Sequence, residues 1–151
     1  MKHMSLKDLL AEDLKTAMKN KELTRKNVIT MIRSSVKQIE VDERKDLLDD
    51  DVIQIIVKQI KQRKDALESF RNGGRNDLVE QTEAEISILE TYLPEPLSEE
   101  ELHLIIQKAI DETGAQSMKD MGSVMSIVKK ETQGKADGKV VSQLVRQKLQ
   151  S

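Results

Sequence analysis

The chain has 151 residues and a mass of 17.2 kDa, room for one ordinary domain or two small ones. Charged residues make up 34% of it, and 25 Lys+Arg against 27 Asp+Glu leave a net charge of -2. That balance excludes a uniformly cationic nucleic-acid coat but permits a local basic face. Cys is absent, which excludes a disulfide scaffold, thiolate zinc sites and thiol catalysis and fits a reducing compartment. No apolar run approaches the ~20 residues of a membrane span, so the expectation is a cytoplasmic protein with no membrane partner.

The leader Met1-Lys2-His3-Met4 reads as an added segment or an alternative start and is set aside. From Ser5 the apolar residues Leu6, Leu9, Leu10, Leu14, Ala17 and Met18 recur at helical spacing, with Ser5 and Asp8 as an N-terminal cap. A second helix is predicted from about Thr24, with Val28, Met31, Ile32, Ser35, Val36 and Ile39 on one face. Asp49-Asp50-Asp51 precedes a third, carrying Val52, Ile53, Ile56, Ile60, Leu67 and Phe70 and stopped by Gly73-Gly74. A fourth carries Leu78, Val79, Thr82, Ile86, Leu89 and Leu93. No segment alternates like a strand.

Both prolines fall in Tyr92-Leu93-Pro94-Glu95-Pro96-Leu97, and each disfavours helix at the residue before it. A linker around Pro94–Pro96 is therefore expected between a four-helix domain, 5–94, and a three-helix domain, 97–151. The second opens on the Ser98-Glu99-Glu100-Glu101 capping pattern, with Leu102, Ile105, Ile106, Ala109 and Ile110 behind it and Gly114 as a stop. Ser117 is predicted to cap a sixth helix through Met118, Met121, Val124, Met125 and Val128. Asp137 caps a seventh, with Val140, Val141, Leu144, Val145 and Leu149 inward. At about 55 residues the second domain is small for independent folding. The expected fold is all-α and multihelical, a larger N-terminal helical bundle followed by the small C-terminal unit.

Charge is segregated. From Lys119 onward, the bases Lys119, Lys129, Lys130, Lys135, Lys139, Arg146 and Lys148 oppose Asp120, Glu131 and Asp137, a balance of +4. A second basic stretch contains Lys58, Lys61, Arg63, Lys64, Arg71 and Arg75. Solvated helix faces are the plain reading of both. The sharper one is that they track phosphates, releasing counterions. Two aromatics in the entire chain argue against base stacking, so contact would be to backbone and shape.

A catalytic constellation is harder to find. His3 lies in the leader and His103 in the fifth helix, no G-x-S-x-G is present, and Cys is absent. Gly134-Lys135-Ala136-Asp137-Gly138-Lys139 departs from a phosphate loop in spacing and in having Val140 after its Lys. A turn with Asp137 as cap explains it, although such a helix start can hold one phosphate. The Asp49–Asp51 run lacks the glycine and terminal Glu of a calcium loop, and helix capping accounts for it. No cofactor or metal site is expected.

Several segments resemble the GatB/YqeY family: Ile88 through Leu102, Asp120-Met121-Gly122-Ser123-Val124-Met125, the Gly134–Lys139 loop, Lys61 through Ala66, and Arg75-Asn76-Asp77-Leu78. The similarity runs in order from Ser5 to Ser151, like that of a free-standing YqeY-like protein. It implies an all-helical fold of a larger and a smaller domain. It also implies kinship with the tail of the GatB subunit of tRNA-dependent amidotransferase, which helps recognise tRNA. The family label, a carbon–nitrogen ligase with glutamine as amido-N-donor, is an association only, because the ATP-using and ammonia-generating sites lie in other domains and subunits.

The resulting expectation is a non-catalytic module for tRNA or other structured RNA. Lys119, Lys129, Lys130, Lys135, Lys139, Arg146 and Lys148 are the phosphate contacts. Gly134, Asp137 and Gly138 shape the loop, and Gly122 permits close helix packing. The alternative is a helical protein-interaction module that docks on an amidotransferase, a synthetase or another partner without RNA.

Overall fold

The computed structural model describes residues 4–150; His3 and the rest of the leader before Met4 lie outside the described residues. The fold is all-α. Its helices are α1 (Leu6–Lys19), α2 (Leu23–Glu43), α3 (Asp49–Asn72), α4 (Asn76–Glu90), α5 (Glu99–Thr113), α6 (Met121–Thr132) and α7 (Gly138–Gln150). No strand occurs among the described residues. The chain divides into two compact units, one running to Leu93 and the other from Pro94 onward.

In the first unit the helix starts follow side-chain chemistry. The Ser5 hydroxyl accepts the Asp8 amide at 3.1 Å. The aspartate run does not precede α3 but forms its first turn, so the helix starts three residues earlier than the sequence suggests. There Asp51 accepts the Leu48 amide at 3.0 Å and Asp49 accepts the Leu6 amide at 2.9 Å, which ties α1 to α3. The core gathers Leu10, Val28, Ile32, Val52, Ile56, Ile86, Leu89 and Tyr92, among others. The Tyr92 phenol donates to Asp13 at 2.6 Å, so the end of α4 is fastened to α1. Burial, and next the Asp13 carboxylate, push this phenol above its usual pKa. Gln59, also buried, donates its amide to the Met31 carbonyl and the Ser35 hydroxyl and so clamps α3 to α2.

Some expected inward positions point outward. Met31 is 50% exposed, and Leu9 and Met18 are exposed on α1. The face that α2 buries is set by Val28, Ile29, Ile32 and Val36, and Met31 falls on its margin, with its sulfur beside the Arg63 guanidinium. Leu10 and Ala17 are the residues of α1 that are fully buried.

The second unit packs α5, α6 and α7 around Leu102, Ile106, Ala109, Val124, Val128, Val141, Val145 and Leu149. Ser98 caps α5 by accepting the Glu101 amide at 3.1 Å, and its hydroxyl donates to the Glu101 carboxylate at 3.0 Å. Gly114 ends α5 at φ +67°, a conformation that costs glycine little. Ser117 starts a 3-10 turn, Met118–Asp120, rather than α6 itself, because the Asp120 carboxylate folds back onto the Gln116 and Ser117 amides. Met118 and Val140, expected inward, are exposed. Gly122 is exposed too, and a Cβ there would meet nothing within 4 Å, so it does not permit close packing.

Candidate nucleic-acid interface

The seven cations predicted for RNA come from four places: the 3-10 turn (Lys119), the last turn of α6 (Lys129, Lys130), the connecting loop (Lys135) and α7 (Lys139, Arg146, Lys148). All but Lys148 are exposed, and none of those six forms an ion pair among the described residues. Lys129 and Lys130 also stand where the α6 dipole favours positive charge. Helix α7 carries no carboxylate at all. Its Lys139 and Arg146 are two turns apart, within about 20° on one face. Lys148 projects about 180° away from Lys139. It donates to the Gln107 side chain of α5 at 3.3 Å instead of joining that face.

The loop before α7 is built by short backbone links. The Lys135 amide donates to the Thr132 carbonyl at 2.8 Å, and the Lys135 carbonyl accepts the Leu97 amide at 2.9 Å. Gly134 turns the chain at φ +76°. Asp137 accepts the Lys139 amide at 2.8 Å and the Val141 amide reaches its carbonyl at 3.0 Å, so this residue caps α7. Gly138 has no left-handed φ, and a Cβ added to it would meet nothing within 4 Å, so nothing in the turn demands glycine there. The hollow beside this loop sets Glu95 and Glu101 against Lys135 and is no anion cradle.

The second stretch, on α3 and at the start of α4, divides differently. Arg63 meets Glu85 at 3.1 Å, Arg71 meets Glu83 at 2.9 Å and Arg75 meets Asp77 at 3.1 Å. The Arg75 pair holds Asp77 below the usual carboxylate range and Arg75 above its own. Lys58, Lys61 and Lys64 remain exposed on α3 without an ion pair among the described residues.

Sequence reasoning passed over a third basic line. From Thr24 to Ile39 the chain has four bases and no acid. Arg25 leans to Glu22 at 3.6 Å, while Lys26, Arg33 and Lys37 have no ion pair among the described residues. Arg33 and Lys37 line a groove of about 480 Å³ between α1 and α2, with Leu10, Leu14 and Val36 in its lining. One end is closed by Lys7 and Glu40 at 2.7 Å. That bond, then the Leu47 amide, holds Glu40 below the usual carboxylate range, and Lys7 is raised in turn. The absence of acids over those sixteen residues was the available signal.

Among the described residues, no group of three or more His, Asp or Glu could hold a metal ion, and no helix is long and apolar enough to cross a membrane. His103 lies 3.8 Å from Glu99, one turn away on α5.

The chain is 35% identical over 134 residues to Altered inheritance of mitochondria protein 41, mitochondrial, of Kluyveromyces lactis, covering 87% of this chain and 69% of the relative. It is 33% identical over 146 residues to the protein of that name from Pyrenophora tritici-repentis, covering 93% and 77%. With its Lachancea thermotolerans counterpart it shares 42% over 85 residues, 56% of this chain and only 46% of the relative, so the match spans about half that protein's length. These relatives carry mitochondrial names, which overturns the expectation of a cytoplasmic protein drawn from the lack of Cys and of apolar runs. Neither absence bears on compartment strongly enough to outweigh them. The model of the Yqey-like protein family matches residues 7–149, and the chain belongs to that family.

Proposed function

We propose that this Yqey-like protein binds the phosphate backbone of tRNA or another structured RNA, without catalysing a reaction on it. The observation that supports the reading is the set of exposed cations in the second unit, Lys119, Lys129, Lys130, Lys135, Lys139 and Arg146, which have no ion-pair partner among the described residues. A solvated cation without a carboxylate partner is free to exchange its counterion for a phosphate, and each such contact steepens the salt dependence of binding. Backbone contact needs no aromatic platform, in keeping with one Phe and one Tyr in the chain. The test is fluorescence anisotropy of labelled bulk tRNA against the full chain, from low to physiological salt. Charge reversal at Lys135 and Lys139 is expected to weaken binding for all RNA sequences alike and to flatten the salt slope by at least about 2. Unchanged affinity in a folded double variant removes the α7 loop from the interface.

A second reading, a protein-interaction module that docks on an amidotransferase, a synthetase or another partner, is favoured by Leu23 and Val41, large apolar side chains left exposed on α2. Recovery of one stoichiometric protein on immobilised chain, unaffected by ribonuclease, would select it.

A further inference from the structure

We infer that the groove between α1 and α2 is a second RNA-backbone site, in which Arg33 and Lys37 take neighbouring phosphates. The inference rests on the RNA reading above and adds a location to it. Arg33 and Lys37 lie four residues apart, one helical turn, so both side chains project along the same edge of α2. Lys26 continues the line seven residues before Arg33, and the three cations span about 16 Å of helix. That length exceeds a single small anion and suits a few consecutive phosphodiesters. The Arg33 guanidinium offers the planar fork that pairs with two phosphate oxygens, and Lys37 supplies a point charge.

The hydroxyls of the groove add polar contacts. Thr30 donates to the Lys26 carbonyl at 2.7 Å, which leaves its oxygen as an acceptor for a ribose hydroxyl. Ser34 lies between Arg33 and Lys37 in sequence and also lines the groove. At the far end the charge is balanced: Glu40 neutralises Lys7, and Asp8 and Asp46 lie within electrostatic range of it. Bound phosphate is therefore confined to the Arg33–Lys37 part. With no aromatic in its lining, the groove reads backbone and not bases.

The experiment titrates labelled bulk tRNA against the full chain and three variants, with folding checked by circular dichroism. R33E/K37E is expected to lower affinity at least about tenfold near physiological salt and to flatten the salt slope by about 2 or more. E40Q keeps an oxygen to accept the Leu47 amide yet removes the negative charge that neutralises Lys7, and should tighten binding about two- to threefold, a gain that damage to the fold cannot produce. K135E/K139E reports on the other unit. Wild-type affinity and slope in R33E/K37E, alongside weakened K135E/K139E, overturn the groove and leave the RNA reading standing. No tRNA binding by the unaltered chain overturns both. Displacement of tRNA by poly-glutamate as readily as by unlabelled tRNA would overturn the assignment to RNA in favour of an acidic protein.

Discussion

In the first unit Arg63, Arg71 and Arg75 each meet a carboxylate of α4, whereas in the second unit Lys129, Lys130, Lys135, Lys139 and Arg146 meet none among the described residues. Both stretches look alike as text, being runs of bases with few acids between them. What separates them is the neighbouring helix. The residues Asp77, Glu83 and Glu85 recur along α4 beside α3, while α7 brings no acid of its own. A linear cluster of bases is thus a statement about composition, and free charge is a statement about packing. Exposed pairs such as Arg71–Glu83 contribute only about 0.2–1 kcal/mol to stability, but they do remove a cation from the supply open to phosphate.

The two units also differ in core size, and the largest expected effect exploits that. Ile106 is fully buried in the smaller core, so Ile106→Ala should cost about 2–5 kcal/mol. In a unit of this size that approaches the whole stability. Amide spectra of the full chain should then show second-unit resonances collapsing while the first unit keeps its dispersion. Simultaneous loss of both would mean that the units fold as one cooperative body and would break the comparison.

Tyr92→Phe probes the larger core. It removes the bond to Asp13 and should cost about 1–2 kcal/mol by denaturant titration. The phenol pKa is raised in the folded chain, so its contribution is full below the ordinary tyrosine value of about 10 and is lost as pH rises through the folded value. The gap between wild type and variant should therefore narrow in alkali. A gap independent of pH would assign the cost to packing alone.

The smallest effects sharpen the reading of the loop. Gly134→Ala places a side chain at φ +76° and should destabilise by about 1 kcal/mol. Gly138→Ala, in the first turn of α7 with open space around it, should stabilise by about 0.4–1 kcal/mol. Equal losses at both would show that Gly138 is held by something other than backbone freedom.

Much of the fold was legible because local chemistry and periodicity agree. Ser5 and Ser98 announce helix starts, Gly114 announces a stop, and Val124, Val128, Val141 and Val145 fall inward as their spacing requires. Met31 and Val140 misled because a helix wheel fixes angles but not the centre of the buried arc, and each lies at its margin. The candidate interface was legible only as a list of residues. That Lys148 turns to α5, or that Arg63 is spoken for by Glu85, depends on residues far away in sequence. The α2 line was missed for the converse reason: its cations are spaced by apolar and hydroxyl residues, so their linear density is low although they share one edge of a helix.

The bond from the Leu97 amide to the Lys135 carbonyl has a practical use in exchange spectroscopy. Leu97 belongs to no helix, and an amide in such a segment would ordinarily trade its hydrogen with solvent within moments. Here its protection factor should track the opening of the Lys135 loop, giving one well-placed clock for that event. Because the acceptor is a main-chain oxygen, reversing the charge of the Lys135 side chain leaves the clock running. The same variant that tests RNA binding thus carries its own internal record of whether the loop has kept its shape.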